Sequence, residues 1–268
     1  MSLPSSVLII GASRGLGLAL TQRYSHLIGP SNVYATIRGD AEDFKPKGEV
    51  SREVRVIGGI DMGKESVGRD LVEGLKAAGG DKVDVVFVVA GLLKTEEFGK
   101  ANWKDQVEMY TICAVAPVIV VEALATASLL SPSAKILLLT SEAGSLTLRT
   151  PEDGGGNYGH HGSKAAGNMA GRLLSYDLKE KGVVVAMIHP GFLKTEMTKS
   201  AGFEQYYDQM GAVSPDEAAE LLANFAKTLE MSMSGKLWAP MGGRGIGNVE
   251  AVMGEAAAEQ TEPLELPW

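Results

Sequence analysis

The chain has 268 residues, 45% apolar and 22% charged, with a net charge of −8. That balance supports a globular core, and the acidic excess argues against nonspecific nucleic-acid binding, which needs a basic surface. No signal-peptide pattern and no run of about 18 apolar residues stand out, and the single cysteine, Cys113, excludes an internal disulfide framework, so a cytoplasmic protein with no membrane or nucleic-acid partner is expected.

Residues 7–10 form a continuous apolar run, as in a parallel strand covered on both faces. The run ends in Gly11, Ala12, Ser13, Arg14, Gly15, Leu16 and Gly17, and helical periodicity follows. Strand, glycine-rich turn and helix is the context in which backbone N–H groups cradle a pyrophosphate at the positive end of a helix. Residues 33–37 read as a second strand, closed by Arg38 where an NAD-binding chain usually carries Asp or Glu. Arg38 and Arg14 instead suit a 2′-phosphate through charge-assisted bonds, and the cofactor expected is NADP(H). Asp40, close by, is the residue that speaks against it.

A third strand over 53–57 leads to Asp61, a helix spans roughly 64–78, and a fourth strand over 83–89 ends on Ala90 and Gly91. Residues 104–130 are apolar with helical period, 135–140 form a fifth strand ending on Ser141, and 164–180 another helix. A sixth strand over 183–188 runs into His189, Pro190 and Gly191, Ser214 caps a helix with Pro215 in its first turn, and Leu237 and Trp238 sit in a seventh strand. The alternation predicts one α/β domain over 1–247: a doubly wound, parallel, seven-stranded Rossmann sheet with helices on both faces. Residues 248–268 read as an acidic, alanine-rich tail packed on that domain or trailing from it. Ligands of such sheets bind beyond the carboxyl ends of the strands, where Gly11, Arg38, Asp61, Gly91, Ser141 and Pro190 all fall.

These motifs, in this order, resemble the short-chain dehydrogenase/reductase family over residues 5–245, and within it the C-factor-like branch, down to Pro267 and Trp268. The resemblance implies an oxidoreductase of a small-molecule substrate. It assigns Gly11, Gly15 and Gly17 to the pyrophosphate, Asp61 to adenine, and Ala90 and Gly91 to adenosine, with Ser13, Arg14 and Leu16 of the same turn counted among the cofactor-binding residues. It also puts Lys164 on the nicotinamide ribose, and Pro190, Gly191 and Thr195 around the carboxamide. A homodimer or homotetramer through the helices at 104–130 and 164–180 is implied in the same way, and no metal is.

The catalytic set of that family is Asn, Ser, Tyr and Lys. Ser141 and Lys164 match. The tyrosine position, four residues before Lys164, holds His160, and the asparagine position, four before Pro117, holds Cys113. Tyr158 aligns with a second aromatic of the related branch. Six residues from Lys164, it lies about 240° around the helix, so it cannot simply substitute. Lys164 one turn away pushes His160 toward its neutral form, a weak proton donor. Hydride addition to an iminium carbon needs no such donor, and Glu142, Glu152 and Asp153 between Ser141 and His160 offer carboxylates for a cation. Three readings stay open: a reductase of a carbonyl or an imine in specialised metabolism, a ring-forming enzyme holding NADP(H), and a catalytically inactive dinucleotide-binding protein. Phe203, Tyr206, Tyr207 and Met210 are candidates for a substrate lid.

Overall fold

A computed structural model describes residues 3–44, 51 and 53–268. The strands are β1 (Val7–Ile10), β2 (Val33–Thr36), β3 (Arg55–Ile57), β4 (Val83–Val88), β5 (Leu130–Leu139), β6 (Val184–Ile188), β7 (Leu237–Ala239) and β8 (Leu264–Leu266). They make one eight-stranded sheet in the order β3-β2-β1-β4-β5-β6-β7-β8. Every pairing is parallel except β7 with β8, which is antiparallel. The helices are α1 (Gly15–Ile28), α2 (Val67–Ala77), α3 (Trp103–Tyr110), α4 (Ala116–Thr126), α5 (Tyr158–Asp177), α6 (Glu196–Ser200), α7 (Pro215–Thr228), α8 (Val249–Met253) and α9 (Glu255–Glu259).

Side-chain alternation sorts the core into two layers. Val7 and Ile9 of β1 join Leu20 and Tyr24 of α1 and Leu222 and Phe225 of α7 on one face. Leu8 and Ile10 join Leu71 and Leu75 of α2, Val120 and Leu124 of α4, and Leu174 of α5 on the other. Strands buried on both faces read as unbroken apolar runs, which is why β1 and β6 are plain in the sequence.

Four boundaries differ from the sequence reading. The sheet has eight strands, because Leu264–Leu266 pairs with β7, an alternation of three residues too short to stand out. The third strand starts at Arg55 rather than at 53. The helix expected to run to 130 stops at Thr126, where Ser128 takes a positive φ of 58° and Pro132 forbids a helical continuation, so β5 begins at Leu130. Helix α5 starts at Tyr158, six residues before 164, and contains both histidines of the motif. The helical stretch Trp103–Thr126 is long and apolar enough to cross a membrane by length and composition, yet it buries Met109, Ala116, Val120, Val121 and Leu124 within the fold.

Residues 248–268 carry α8, α9 and β8. Val249, Leu264 and Leu266 form a third apolar cluster with Leu148, Ile246 and Leu237, apart from the two main layers.

Candidate active site

The carboxyl ends of the parallel strands carry the expected residues in one row. At the end of β1, Gly11 adopts φ 94°, and a β-carbon there would stand 2.8 Å from the Cα of Ala90, so only glycine lets the two turns touch. Gly17 is held as tightly, because its β-carbon would meet the Gly11 carbonyl. A β-carbon on Gly15, at φ 54°, would lie 3.6 Å from the Thr195 methyl. The amides of Val89 and Ala90 both donate to the Ile10 carbonyl at 2.9 Å, closing β4 onto the turn. Ser13 and Arg14 are exposed and Leu16 is buried beneath them. The turn therefore presents bare backbone at the amino end of α1, a cradle that a side chain would fill and a pyrophosphate fits.

Arg38 is exposed just beyond β2, and neither it nor Arg14 makes an ion pair among the described residues. Both guanidiniums are free for a phosphate, with Asp40 exposed two residues further on. Asp61 is half-buried and accepts the Gly63 amide at 3.0 Å. Pro190 and Gly191 follow β6, Gly191 at φ 88° against Met241. Thr195 caps α6, its hydroxyl accepting the Thr198 amide at 3.3 Å.

The reacting end is built by the turn after β5 and by α5. The Ser141 hydroxyl accepts the Ala143 amide at 3.1 Å, which orients it at the head of a short helical turn. Lys164 is 8% exposed and its ammonium donates to the Leu139 carbonyl at 2.9 Å. A β-carbon on Gly91 would lie 3.7 Å from that ammonium and 3.9 Å from the Cys113 sulfur, so lysine, cysteine and the end of β4 converge. Cys113 sits in a π turn, Thr111–Val115, the kind of helical irregularity that recurs at functional sites. Its sulfur accepts the Leu92 amide at 3.5 Å, tying the helix to the segment after β4, a link with no local signature in the sequence.

His160 lies one turn before Lys164 on α5. Burial, then the Lys164 charge, then His161 push its pKa down to about 3, so the imidazole is neutral near pH 7. Tyr158, the first residue of α5, is 41% exposed, and no hydrogen bond joins it to Ser141, His160 or Lys164. His161 donates from Nδ1 to the Asn157 carbonyl, 2.9 Å away.

The acidic residues between Ser141 and His160 are not arranged for a cation. Glu142 is engaged by the Arg149 guanidinium, and burial raises its pKa. Asp153 lies 3.7 Å from the same arginine and accepts from Thr150 and Asn248. Only Glu152 is exposed without an ion pair among the described residues.

Several groups were not anticipated. The Glu96 carboxylate, 8% exposed, accepts the Gly159 amide at 2.7 Å, the Gln106 side chain at 2.9 Å and the Asn102 amide at 3.3 Å. Burial pushes its pKa up, but these bonds outweigh it and the net shift is downward. Asn157, at φ 49°, brackets the Glu96 backbone with bonds in both directions. His189 is buried and accepts the Glu142 amide on Nδ1 at 3.2 Å, which puts its proton on Nε2. Burial, with Arg149 and Lys164 nearby, lowers its pKa to about 4. In the candidate lid, Phe192 stacks edge-on with Phe203 and Tyr207 at 6.4 and 5.5 Å, and the Tyr207 hydroxyl lies 2.7 Å from that of Thr198. Tyr206 and Met210 point outward.

Residues 5–205 match the pattern of the short chain dehydrogenase family. The chain belongs to that family. Similar relatives include the 1-hydroxy-2-glutathionyl-2-methyl-3-butene dehydrogenase of Rhodococcus sp. (strain AD45), 32% identical over 87% of this chain and 95% of that one. The C-signal protein of Myxococcus xanthus is 35% identical over 37% of this chain and 58% of that one. Among solved structures, the NADPH-bound carbonyl reductase from chicken fatty liver shares the fold of this short-chain dehydrogenase with a TM-score of 0.70. It is 24% identical, over 89% of this chain and 97% of that one.

Proposed function

We propose that this short-chain dehydrogenase is an NADP(H)-dependent reductase of an acceptor whose carbon already carries positive charge, an iminium or protonated imine of a specialised metabolite. The observation that carries this reading is His160, neutral at the family's tyrosine position. A ketone becomes an alkoxide when hydride arrives and needs an acid within reach. An iminium becomes a neutral amine and needs none.

NADP(H), when bound, supplies the hydride. Gly11, Gly15 and Gly17 cradle its pyrophosphate, Arg14 and Arg38 the 2′-phosphate, and Asp61, Ala90 and Gly91 the adenosine. Lys164, whose ammonium donates to the Leu139 carbonyl, would hold the nicotinamide ribose, and Pro190, Gly191 and Thr195 would hold the carboxamide. Ser141, its hydroxyl oriented by the Ala143 amide, directs the acceptor. His160 shapes the pocket wall as a neutral ring that does not repel a cation.

Reduction of a carbonyl is the second reading, favoured by the named activities of the relatives. Exposed Trp103, Val107 and Val115 on the α3–α4 stretch and Met169, Leu173 and Tyr176 on α5 support assembly as a homodimer through those helices.

The deciding assay follows NADPH absorbance with N-methyl-3,4-dihydroisoquinolinium and with 1-tetralone. Consumption with the iminium at about 100-fold or more the ketone rate is expected, from the loss of general-acid assistance. Equal or faster ketone reduction overturns the iminium reading.

A further inference from the structure

The segment that follows Ser141 is held from outside by residues 246–268. Thr147 donates its amide at 2.9 Å, and also its hydroxyl, to the Trp268 backbone oxygen. The Asn248 side chain donates to the Leu148 carbonyl at 3.1 Å and to the Asp153 carboxylate at 2.6 Å. Leu148 itself is fully buried among Ile246, Val249, Leu264 and Leu266.

The same element reaches the helix that carries Lys164. The Arg172 guanidinium of α5 lies over the Trp268 ring at 5.4 Å and over Tyr176 at 5.7 Å. On the inner side the Ser141 turn has no slack, because a β-carbon on Gly144 would stand 2.6 Å from the Lys164 carbonyl carbon. The turn is thus caught between the α5 backbone at Lys164 and the 246–268 element.

Sheet order separates this clamp from the cofactor cradle. The adenosine and pyrophosphate end of the cradle draws on the ends of β1, β2, β3 and β4, whereas β8 lies at the opposite edge, beyond β5, β6 and β7. A surface turn fixed only at its ends opens locally at little cost, and a misplacement of about 1 Å at a reacting centre costs about a hundredfold in rate. We infer that Trp268 and Asn248 are positioning residues: they hold the Ser141 turn against α5 and so set the acceptor geometry, without touching the adenosine and pyrophosphate contacts that anchor the cofactor. The inference rests on the reading of Ser141 as the group that directs the acceptor.

The test compares Trp268→Ala, Trp268→Phe and Asn248→Ala with the parent by amide hydrogen exchange, NADPH fluorescence titration and turnover of N-methyl-3,4-dihydroisoquinolinium. In Trp268→Ala and Asn248→Ala, exchange over 142–149 is expected to rise about tenfold or more, while exchange over 11–17 and the NADPH Kd stay at parent values. Turnover should lose about tenfold in kcat with KM little changed, and Trp268→Phe should restore both. Unchanged exchange over 142–149 in both alanine variants overturns the inference. So does faster exchange with undiminished kcat, or faster exchange across the whole molecule with loss of NADPH binding. The exchange and cofactor measurements need no turnover, so a parent protein that leaves the iminium unreduced counts against the proposed function and not against the clamp.

Discussion

His160 and His189 are both neutral in this fold, and burial is the larger cause in each. The spacing of His160 to Lys164 made the direction of the first shift legible in the sequence, since a cation one helical turn away disfavours a second. Its size was not legible, because a sequence shows the neighbour on a helix but not how deeply both are covered. Nothing marked His189, whose partner is the amide of Glu142, 47 residues away. Its effect on stability has a definite sign. The unfolded imidazole titrates near 6.5 and the folded one near 4, so the unfolded state binds the extra proton between those values. Stability is whole above about pH 6.5 and falls as pH drops toward 4, by on the order of 3 kcal/mol. Urea denaturation at pH 7.5 and 5.0 should show part of that fall together with a contribution of the same sign from His160, and His189→Asn, which can still accept the Glu142 amide, should make it shallower. Arg14 and Arg38 make a separate residue-level claim. Arg38→Ala should raise the NADPH Kd by about tenfold to a hundredfold, the loss of a charge-assisted bond of about 1.5–3 kcal/mol, and leave the NADH Kd unchanged. Equal affinities in the parent would refute the 2′-phosphate assignment.

Helix α5 begins at Tyr158 because of a residue no local pattern points to. Its N-cap, Asn157, makes no side-chain cap, and the first turn carries no acid of its own. The acceptor comes from Glu96, 63 residues earlier, which takes the Gly159 amide and also engages Asn102 and Gln106 at the start of α3. One carboxylate thus sits at the positive ends of two helices, and one of them aims His160 and Lys164. A cap supplied across the fold is invisible to a reading of neighbours, which is why the sequence suggested a start at 164. Glu96→Gln keeps the shape but faces an amide donor toward donors. It should cost about 2 kcal/mol, read as a lowered thermal midpoint, and a loss of turnover larger than any loss of NADPH affinity. A variant as stable as the parent would show that the capping bonds carry little weight. The end of the helix at Thr126 was misjudged for a related reason: Ser128 and Pro132 break an apolar run that continues into β5.

At the scale of the molecule, alternating apolar strands and amphipathic helices made the doubly wound sheet and the placing of the cofactor residues legible. Those features depend on period and on glycine, both written locally. The antiparallel eighth strand, the anchoring of 145–153 by 246–268 and the pairing of Glu142 and Asp153 with Arg149 depend on distant partners and were not. The last of these changes the argument for a charged acceptor, because two of the three carboxylates expected to favour a cation, Glu142 and Asp153, neutralise an arginine instead. The reading therefore stands on His160, and the measurement that tests it most directly is ketone reduction by His160→Tyr. Restoring a phenol four residues before Lys164 should raise NADPH-dependent reduction of 1-tetralone by about 10²–10⁴, the usual contribution of a placed general acid, with reduction of N-methyl-3,4-dihydroisoquinolinium changed little. Ketone reduction already as fast in the parent as in His160→Tyr would contradict the account.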